Sequence, residues 1–258
     1  MNPDWLPALR KKAAAGEKLA MITVYDFPSA ETADAAGADL LLVGDSLGVT
    51  VLGYENTHTV TLDEMTHHLR AARRGVKKSP LLCDMPINTY RTAAETLANA
   101  RTLMNDGAMA VKLEGCQPDV VRALVAEGIP VMGHIGLIPQ SFKEYKVQGK
   151  EPEDAARLAR EAAELAGAGC FSIVLELIAA PLAQKITAEL SIPTIGIGSG
   201  PHCGGQVLVY NDLLGIFERF KPKFARRFRE LRKEMTGGCA DFVREVKAGS
   251  YPANGEWY

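Results

Sequence analysis

Three carboxylates stand at the ends of short apolar runs in the first half of the chain. Asp45 follows the run at 39–44, Asp84 ends the run Leu81-Leu-Cys, and Glu114 ends the run at 109–114. A buried charge is costly unless it is paired or bound to a metal. Carboxylate oxygens are ligands that a hard cation such as Mg²⁺ prefers. Each carboxylate taken singly could cap a neighbouring loop or helix, but as a set the three predict a magnesium site.

Three further ionisable residues have the same kind of placement. Lys112 lies two residues before Glu114, so both side chains point to one face of a strand; Lys112 could hold a substrate carboxylate there or form a structural ion pair. His134 stands between Gly133 and an Ile-Gly turn, and is predicted to contact substrate and not to bind metal. Glu176 ends a later apolar run. If the strands close into a barrel, Glu176 would lie across from a metal bound by the three carboxylates and would be placed to move a proton.

The elements that must position these residues are apolar runs alternating with Ala-rich amphipathic stretches. Runs dense in Val, Ile, Leu and Met are typical of parallel strands buried on both faces. Eight such strands are predicted, at 19–26, 39–46, 81–86, 109–114, 130–135, 171–176, 193–198 and 206–210.

Helix signals lie between most of the strands. Thr61 and Glu64 fit a capping box, and Thr92 with Glu95 repeats that start signal. Pro152 occupies a first helical turn and Gly167 is predicted to close that helix, near 153–166; another helix is expected near 180–190. The connection at 199–205 is too short for a full helix.

Eight strands alternating with helices predict an α/β fold, a closed (β/α)₈ TIM barrel, with a doubly wound open sheet as the alternative. In a barrel, chemistry collects at the carboxyl ends of the strands, where the ionisable residues fall. We expect a single domain over 1–258, with the strands in about 19–212. A carboxyl-terminal segment, about 213–248, is predicted to be helical and to lie outside the barrel repeat. Within it Phe220, Phe224, Phe228 and Leu231 recur at helical spacing, which predicts that they pack on the barrel or on a neighbouring subunit.

Composition excludes several classes of protein. The 258 residues carry a formal charge of −2, with 47% apolar and 23% charged residues, as in a folded globular protein. No apolar run is long enough for a membrane helix, the amino terminus lacks a signal-peptide pattern, and the near-neutral charge argues against nucleic acid as a partner. Five cysteines without a CxxC spacing favour a reducing, cytoplasmic location.

The glycine-rich segment Gly196–Gly200 is weak evidence for a nucleotide site. It comes late in the chain and leads to a strand, whereas a dinucleotide fingerprint opens a helix. In a barrel it would be the loop after the seventh strand. There it either brings backbone close to a ligand or simply forms a tight turn.

Beyond single residues, nearly the whole chain, from about 19 to 252, resembles the ketopantoate hydroxymethyltransferase family. The segments that carry the resemblance are Val43-Gly-Asp-Ser-Leu-Gly48, Lys112-Leu-Glu-Gly115, Gly133-His-Ile-Gly136, Pro139-Gln-Ser141, Tyr145-Lys-Val-Gln-Gly149 and Gly196-Ile-Gly-Ser-Gly200. The chain departs from the family pattern at 139–145, which is shorter, and at 201–206, where Asp is usual before Gly-Gln.

The resemblance implies a barrel of the phosphoenolpyruvate mutase and isocitrate lyase kind, assembled as a large homo-oligomer, a decamer. It implies Mg²⁺-dependent transfer of a hydroxymethyl group from 5,10-methylenetetrahydrofolate to 3-methyl-2-oxobutanoate. The product would be 2-dehydropantoate, a precursor of pantothenate and coenzyme A. The reaction would pass through an enolate and an aldol-type attack.

The resemblance also implies roles for particular residues. The metal ligands would be Asp45, Asp84 and Glu114, and the proton acceptor would be Glu176. The substrate would contact Asp45, Ser46, Asp84, Lys112 and His134.

Two other functions remain open from the residues alone. A Mg²⁺-dependent lyase or mutase acting on 2-oxo acids or phosphonates could use the same carboxylates, and it would not need the folate one-carbon carrier. A barrel without catalytic activity could act as a scaffold through its carboxyl-terminal segment. The set of buried carboxylates argues against the scaffold.

Overall fold

The computed structural model describes residues 4–140 and 146–258. Eight parallel strands form a closed barrel in which each strand pairs with the next and the eighth pairs with the first. This confirms the eight predicted strands and the barrel topology, with strand boundaries that differ by a few residues. The strands are β1 Leu19–Val24, β2 Leu40–Val43, β3 Leu81–Asp84, β4 Ala110–Lys112, β5 Val131–Gly136, β6 Ser172–Glu176, β7 Thr194–Ile197 and β8 Gly205–Val209.

Helices connect most of the strands. They are α1 Trp5–Ala14, α2 Phe27–Ala35, α3 Leu47–Thr50, α4 Leu62–Gly75, α5 Ala93–Asn105, α6 Pro118–Ala126, α7 Pro152–Ala168, α8 Ala180–Glu189, α9 Tyr210–Leu213 and α10 Leu231–Ala248. As predicted from its length, the connection between β7 and β8 contains no helix; all its residues lie within the described part of the chain.

The ends of the helices follow the capping signals with one exception. Thr61 and Glu64 form the predicted capping box at α4. Thr92 accepts the backbone N–H of Glu95 at α5, as its position predicts. The prediction that Gly167 closes α7 is wrong: α7 continues to Ala168, and Gly169 takes the left-handed conformation (φ 105°) that ends it. A left-handed residue satisfies the last carbonyls of a helix, and glycine adopts that conformation without steric cost.

The interior of the barrel is apolar toward its amino-terminal end. Leu19, Met21, Leu40 and Leu42 belong to one buried cluster, and Leu9 of α1 packs into it. Burying a side chain of this size contributes about 1.5–3 kcal/mol. Apolar side chains therefore fill the amino-terminal end of the barrel, and the ionisable residues lie at its carboxyl-terminal end.

The chain divides into two compact units, a barrel unit that ends at Val209 and a carboxyl-terminal unit, Tyr210–Tyr258. The expectation of a single domain stays a prediction. The predicted helix over 213–248 is wrong for 214–230, which contains no helix; the helix α10 begins only at Leu231. Pro222 has no backbone N–H to donate and disfavours a helical residue before it, so the Phe spacing alone could not form a helix there.

Two whole-chain properties complete the description. All five cysteines are free thiols. Within the part of the chain that the structure describes, no helix has the length and apolar character needed to cross a bilayer.

Candidate active site

Three neighbouring strands deliver the predicted carboxylates to one mouth of the barrel. Asp84 ends β3, while Asp45 and Glu114 lie two residues beyond β2 and β4. Each is only 3–4% exposed. The backbone N–H of Asp45 donates to Asp84 Oδ2 at 3.1 Å. The parallel register thus brings together the carboxylates that the sequence analysis grouped.

Lys112 lies among these carboxylates. Its Nζ is 2.7 Å from Asp84 Oδ1 and 3.9 Å from Glu114 Oε1, and the side chain is buried. Burial lowers the pKa of Lys112, but the charges of Asp84 and Glu114 outweigh burial and raise it above its ordinary value. Lys112 therefore stays charged and faces Glu114, as their spacing of two residues predicts.

Of the three carboxyl groups, those of Asp45 and Asp84 have pKa values raised above the usual range. Burial, followed by the charge of Asp84, raises the pKa of Asp45 well above its usual range. Burial also raises the pKa of Asp84 in spite of Lys112. Burial opposes ionisation of Glu114 as well, yet His134 and Lys112 hold the pKa of that carboxyl below its usual value. The Asp45–Asp84 pair is therefore where an added cation would be most stabilised.

His134, on β5, connects the carboxylates to Glu176. Its Nδ1 is 3.4 Å from Glu114 Oε1, and its Nε2 is 3.2 Å from Glu176 Oε2. When His134 is protonated, the Nε2 contact is an ion pair; that atom makes no hydrogen bond of normal geometry with the described residues. Burial and Lys112 lower the pKa of His134, but Glu114 and Glu176 raise it to about 9. Glu176, expected across the barrel, thus belongs to the same continuous set of contacts.

A group of hydroxyls borders this set. Ser46 Oγ lies 2.9 Å from the hydroxyl of Tyr25, which lies 3.0 Å from Thr23 Oγ1. The sequence analysis named Ser46 as a substrate contact but did not select Tyr25. Tyr25 could have been selected from the sequence, because Thr23 and Tyr25 are two residues apart and share one face at the end of an apolar strand.

Gln140 belongs to the Pro139-Gln-Ser141 segment that carries the resemblance, but the sequence analysis gave it no role in the site. Its backbone N–H donates to Glu114 Oε2 at 3.1 Å. Its side-chain Nε2 donates to Asp45 Oδ2 at 2.7 Å and to the carbonyl of Met85 at 3.2 Å. The hydroxyl of Tyr90 donates to Gln140 Oε1. Burial raises the pKa of Tyr90, so this hydroxyl keeps its proton.

A cavity of about 390 Å³ opens beside these residues. It is lined by Tyr90, Glu114, Gln140 and Ile138, among others. Ligand cavities of small organic molecules begin at about 300 Å³. The cavity therefore has room for a small substrate beside Glu114 and Gln140.

Other sequence features lie outside the cluster. Asp26, which also ends an apolar run, caps α2 by accepting the N–H of Ser29 at 2.8 Å. In the Gly196–Gly200 turn, Ser199 Oγ donates to the carbonyl of Leu175 at 2.7 Å, so the turn has a structural role. Two of the segments that carry the resemblance extend outside the described residues: the first ends at Ser141 and the second begins at Tyr145.

The donor set is compatible with Mg²⁺, although it is not a closed protein cage. Among residues 4–140 and 146–258, no three His, Cys, Asp or Glu side chains are arranged to hold a metal by themselves. Mg²⁺ usually takes one or two protein carboxylates and fills its other positions with water or substrate. Asp45 and Asp84 supply two such carboxylates. The buried Asp84 Oδ1 accepts no hydrogen bond of normal geometry from a described residue, and its ion-pair partner is the ammonium group of Lys112, 2.7 Å away. Those two residues fit the ion; Glu114 as a third ligand stays a prediction.

The fold defines a class of protein, the closed (β/α)₈ barrels, here with the ionisable residues at one mouth. The chain is similar in fold to phosphoenolpyruvate phosphomutase from Streptomyces platensis subsp. rosaceus, with a TM-score of 0.64, 14% identity, and coverage of 95% of this chain and 88% of that one. It is likewise similar to 2,3-dimethylmalate lyase, described as a member of the PEP mutase/isocitrate lyase superfamily, with a TM-score of 0.60, 15% identity, and coverage of 98% and 92%.

Sequence comparison identifies the family within that class. Residues 5–254 match the family model described as ketopantoate hydroxymethyltransferase. The chain is 51% identical to 3-methyl-2-oxobutanoate hydroxymethyltransferase of Carboxydothermus hydrogenoformans, over 98% of this chain and 94% of that protein. The chain therefore belongs to the ketopantoate hydroxymethyltransferase family, as its motifs predicted.

Proposed function

We propose that the chain is an enzyme that transfers a hydroxymethyl group from 5,10-methylenetetrahydrofolate to 3-methyl-2-oxobutanoate, giving 2-dehydropantoate for the synthesis of pantothenate and coenzyme A. The observation that carries this proposal is the convergence of Asp45, Asp84, Lys112 and Glu114 with the His134–Glu176 pair at one buried mouth. Membership of the family supports the choice of substrates.

The substrate is a 2-oxo acid, and the cluster contains groups that suit its carboxylate and its adjacent 2-oxo oxygen. Asp45 and Asp84, with Glu114, would hold Mg²⁺, which supplies positive charge that stabilises an enolate oxygen. Lys112 keeps its ammonium charge at this place and pairs with the substrate carboxylate. The hydroxyl of Ser46, next to Tyr25, donates a hydrogen bond to a substrate oxygen.

Glu176 is the proposed base. It removes the proton from C3 of 3-methyl-2-oxobutanoate, so that the C–H electron pair enters the enolate. His134, 3.2 Å away, orients the carboxylate through its Nε2. Water adds to the methylene carbon of the folate as its bond to one folate nitrogen breaks, and C3 then bonds to that carbon as its bond to the second nitrogen breaks. The oxygen of water becomes the new hydroxyl group. One nitrogen takes the proton released by water and the other takes the proton that Glu176 removed, so that tetrahydrofolate leaves.

One assay tests the proposal against the lyase or mutase alternative. The protein is incubated with 3-methyl-2-oxobutanoate and Mg²⁺, with and without 5,10-methylenetetrahydrofolate, and products are identified by mass spectrometry. We expect 2-dehydropantoate in the presence of the folate and none in its absence. Cleavage or rearrangement of a 2-oxo acid without folate would instead support a lyase or mutase.

The proposal extends to assembly and location. The helix α10 exposes Met235, Phe242, Val243 and Val246, which is unusual for a helix that stays in water. We assign this face to contact with a second copy of the chain, within a homo-oligomer of ten. Sedimentation should then give the mass of ten chains of 27.8 kDa.

The five free thiols support a cytoplasmic location, which fractionation of cells would test.

A further inference from the structure

Each of the three carboxylates proposed as metal ligands has one oxygen that accepts a hydrogen bond from an amide N–H. Asp84 Oδ2 accepts from the backbone of Asp45, at 3.1 Å. Asp45 Oδ2 accepts from the side chain of Gln140 at 2.7 Å, and Glu114 Oε2 accepts from the backbone of Gln140 at 3.1 Å. A single buried residue therefore supplies two of these three contacts.

The orientation of the Gln140 amide is also fixed. An amide can turn over and exchange its oxygen and nitrogen, and a carboxylate can accept only from the nitrogen side. The Tyr90 hydroxyl donates to Oε1, and the Met85 carbonyl accepts from the same Nε2 that donates to Asp45. Both contacts oppose a flip that would turn the amide oxygen toward the Asp45 carboxylate.

We propose that Gln140 is a positioning residue, which fixes Asp45 and Glu114 for divalent-cation binding, and that Tyr90 acts through Gln140 by setting the orientation of its amide. Groups that orient metal ligands typically contribute 10- to 100-fold to metal affinity or activity. This inference rests on the proposed use of Asp45 and Glu114 as ligands.

The first test is binding of Mn²⁺, as a paramagnetic substitute for Mg²⁺, measured by electron paramagnetic resonance on the whole chain without substrate. Gln140→Met keeps the side-chain length and the backbone N–H but removes the amide. We expect Mn²⁺ to bind about 10- to 100-fold more weakly. Gln184→Met, the same change on the exposed face of α8, should bind Mn²⁺ as the unaltered chain does.

Tyr90→Phe separates orientation from packing, because it removes only the hydroxyl. We expect it to weaken Mn²⁺ binding several-fold, and we expect Tyr90→Phe combined with Gln140→Met to bind no more weakly than Gln140→Met alone. Additive losses in the combined variant would show that Tyr90 does not act through Gln140. If Gln140→Met does not fold, as judged by circular dichroism, the Tyr90→Phe result decides.

Equal Mn²⁺ affinity in Gln140→Met and the unaltered chain, including no binding by either, would overturn the inference. If Gln140→Met does not fold, equal affinity in Tyr90→Phe would overturn it. Failure of the proposed function has a different signature: the unaltered chain would form no 2-dehydropantoate, while Mn²⁺ binding would still report on Gln140.

Discussion

Lys112 and His134 supply the positive charge of the described cluster, and four carboxylates surround them. Lys112 faces Asp84 and Glu114, while His134 lies between Glu114 and Glu176. Asp45 has no such cation in contact with it among the described residues; burial, followed by the charges of Asp84 and Glu114, raises its pKa well above the usual range. At the residue scale, the carboxylates of the site therefore outnumber its cations. This excess of negative charge favours binding of a divalent cation, and it makes the site depend on both Lys112 and His134.

Replacing Lys112 with Met should be strongly destabilising. The change leaves Asp84 and Glu114 buried without their nearest counter-charge, and breaking a buried pair costs about 3–5 kcal/mol of unfolding free energy. Urea unfolding at neutral pH, without added metal, measures this loss of unfolding free energy. Lys185→Met, which removes an exposed pair with Glu189, should cost less than about 1 kcal/mol. Equal costs for the two variants would contradict the electrostatic role of Lys112.

Replacing Glu176 with Gln tests the proposed base. Gln keeps the shape of the side chain but cannot accept the C3 proton. Exchange of that proton of 3-methyl-2-oxobutanoate in D₂O, followed by NMR, should slow by about 10²- to 10⁴-fold. Mn²⁺ binding should persist, and Glu189→Gln on the surface should exchange normally. Full exchange in Glu176→Gln would assign the base to another group.

His134 gives a pH-dependent prediction. The pKa of His134 is raised to about 9 by Glu114 and Glu176, against the combined effects of burial and Lys112. In the metal-free protein, NMR of ¹⁵N-labelled histidine should show His134 protonated at pH 7. The pKa of His134 in the folded chain exceeds the unfolded value of 6.5, so protonation of His134 stabilises the folded state. This stabilisation is fully present below about pH 6.5. It is lost as the pH rises through 9, and titration near 6.5 would refute the arrangement.

The sequence was sufficient for the residues that end strands. Asp45, Asp84, Lys112 and Glu114 follow from one rule, that parallel neighbours end at the same edge. Gln140 and Tyr90 could not be found this way, because both come from loops whose paths are not set by strand periodicity. Their contacts depend on where two loops happen to meet, and a neutral amide among apolar neighbours gives no charge signal.

At the scale of elements, the end of α7 shows the limit of sequence patterns. Two glycines, Gly167 and Gly169, stand two residues apart, and either could close a helix. The helical register that buries Leu158, Ala162 and Leu165 continues through Gly167, so the chain turns at Gly169. Packing over the whole helix decides between them, and that packing is set by the barrel beneath it.

The two glycines should respond oppositely to the same substitution. A Cβ at Gly167 would meet no atom within 4 Å, so Gly167→Ala should stabilise the protein by about 0.5–1 kcal/mol. At Gly169, φ is 105° and a Cβ would lie 3.1 Å from Val125 Cγ1, so Gly169→Ala should destabilise it by at least about 1–2 kcal/mol. Urea unfolding compares the two. A destabilised Gly167→Ala would place the helix end where the sequence analysis put it.

At the scale of the whole molecule, the barrel was predictable and the carboxyl-terminal unit was not. Eight apolar runs with helices between them have few ways to bury both faces, and closure leaves no strand edge. After Val209 that constraint ends. Residues 210–258 contain two helices and much irregular chain, and the exposed face of α10 has no internal core to specify it.

The exposed apolar residues of α10 carry the prediction for assembly. Met235 is 53% and Val246 is 47% exposed in the single chain. If a second copy covers them, charges at both places would be buried on assembly, which is costly without partners. Met235→Glu combined with Val246→Glu should therefore reduce the mass measured by sedimentation, while the far-ultraviolet circular dichroism stays that of a folded barrel. Ala248→Glu, on the opposite side of α10, should leave the mass unchanged. A double variant that sediments as the unaltered protein does would place the contact between copies elsewhere.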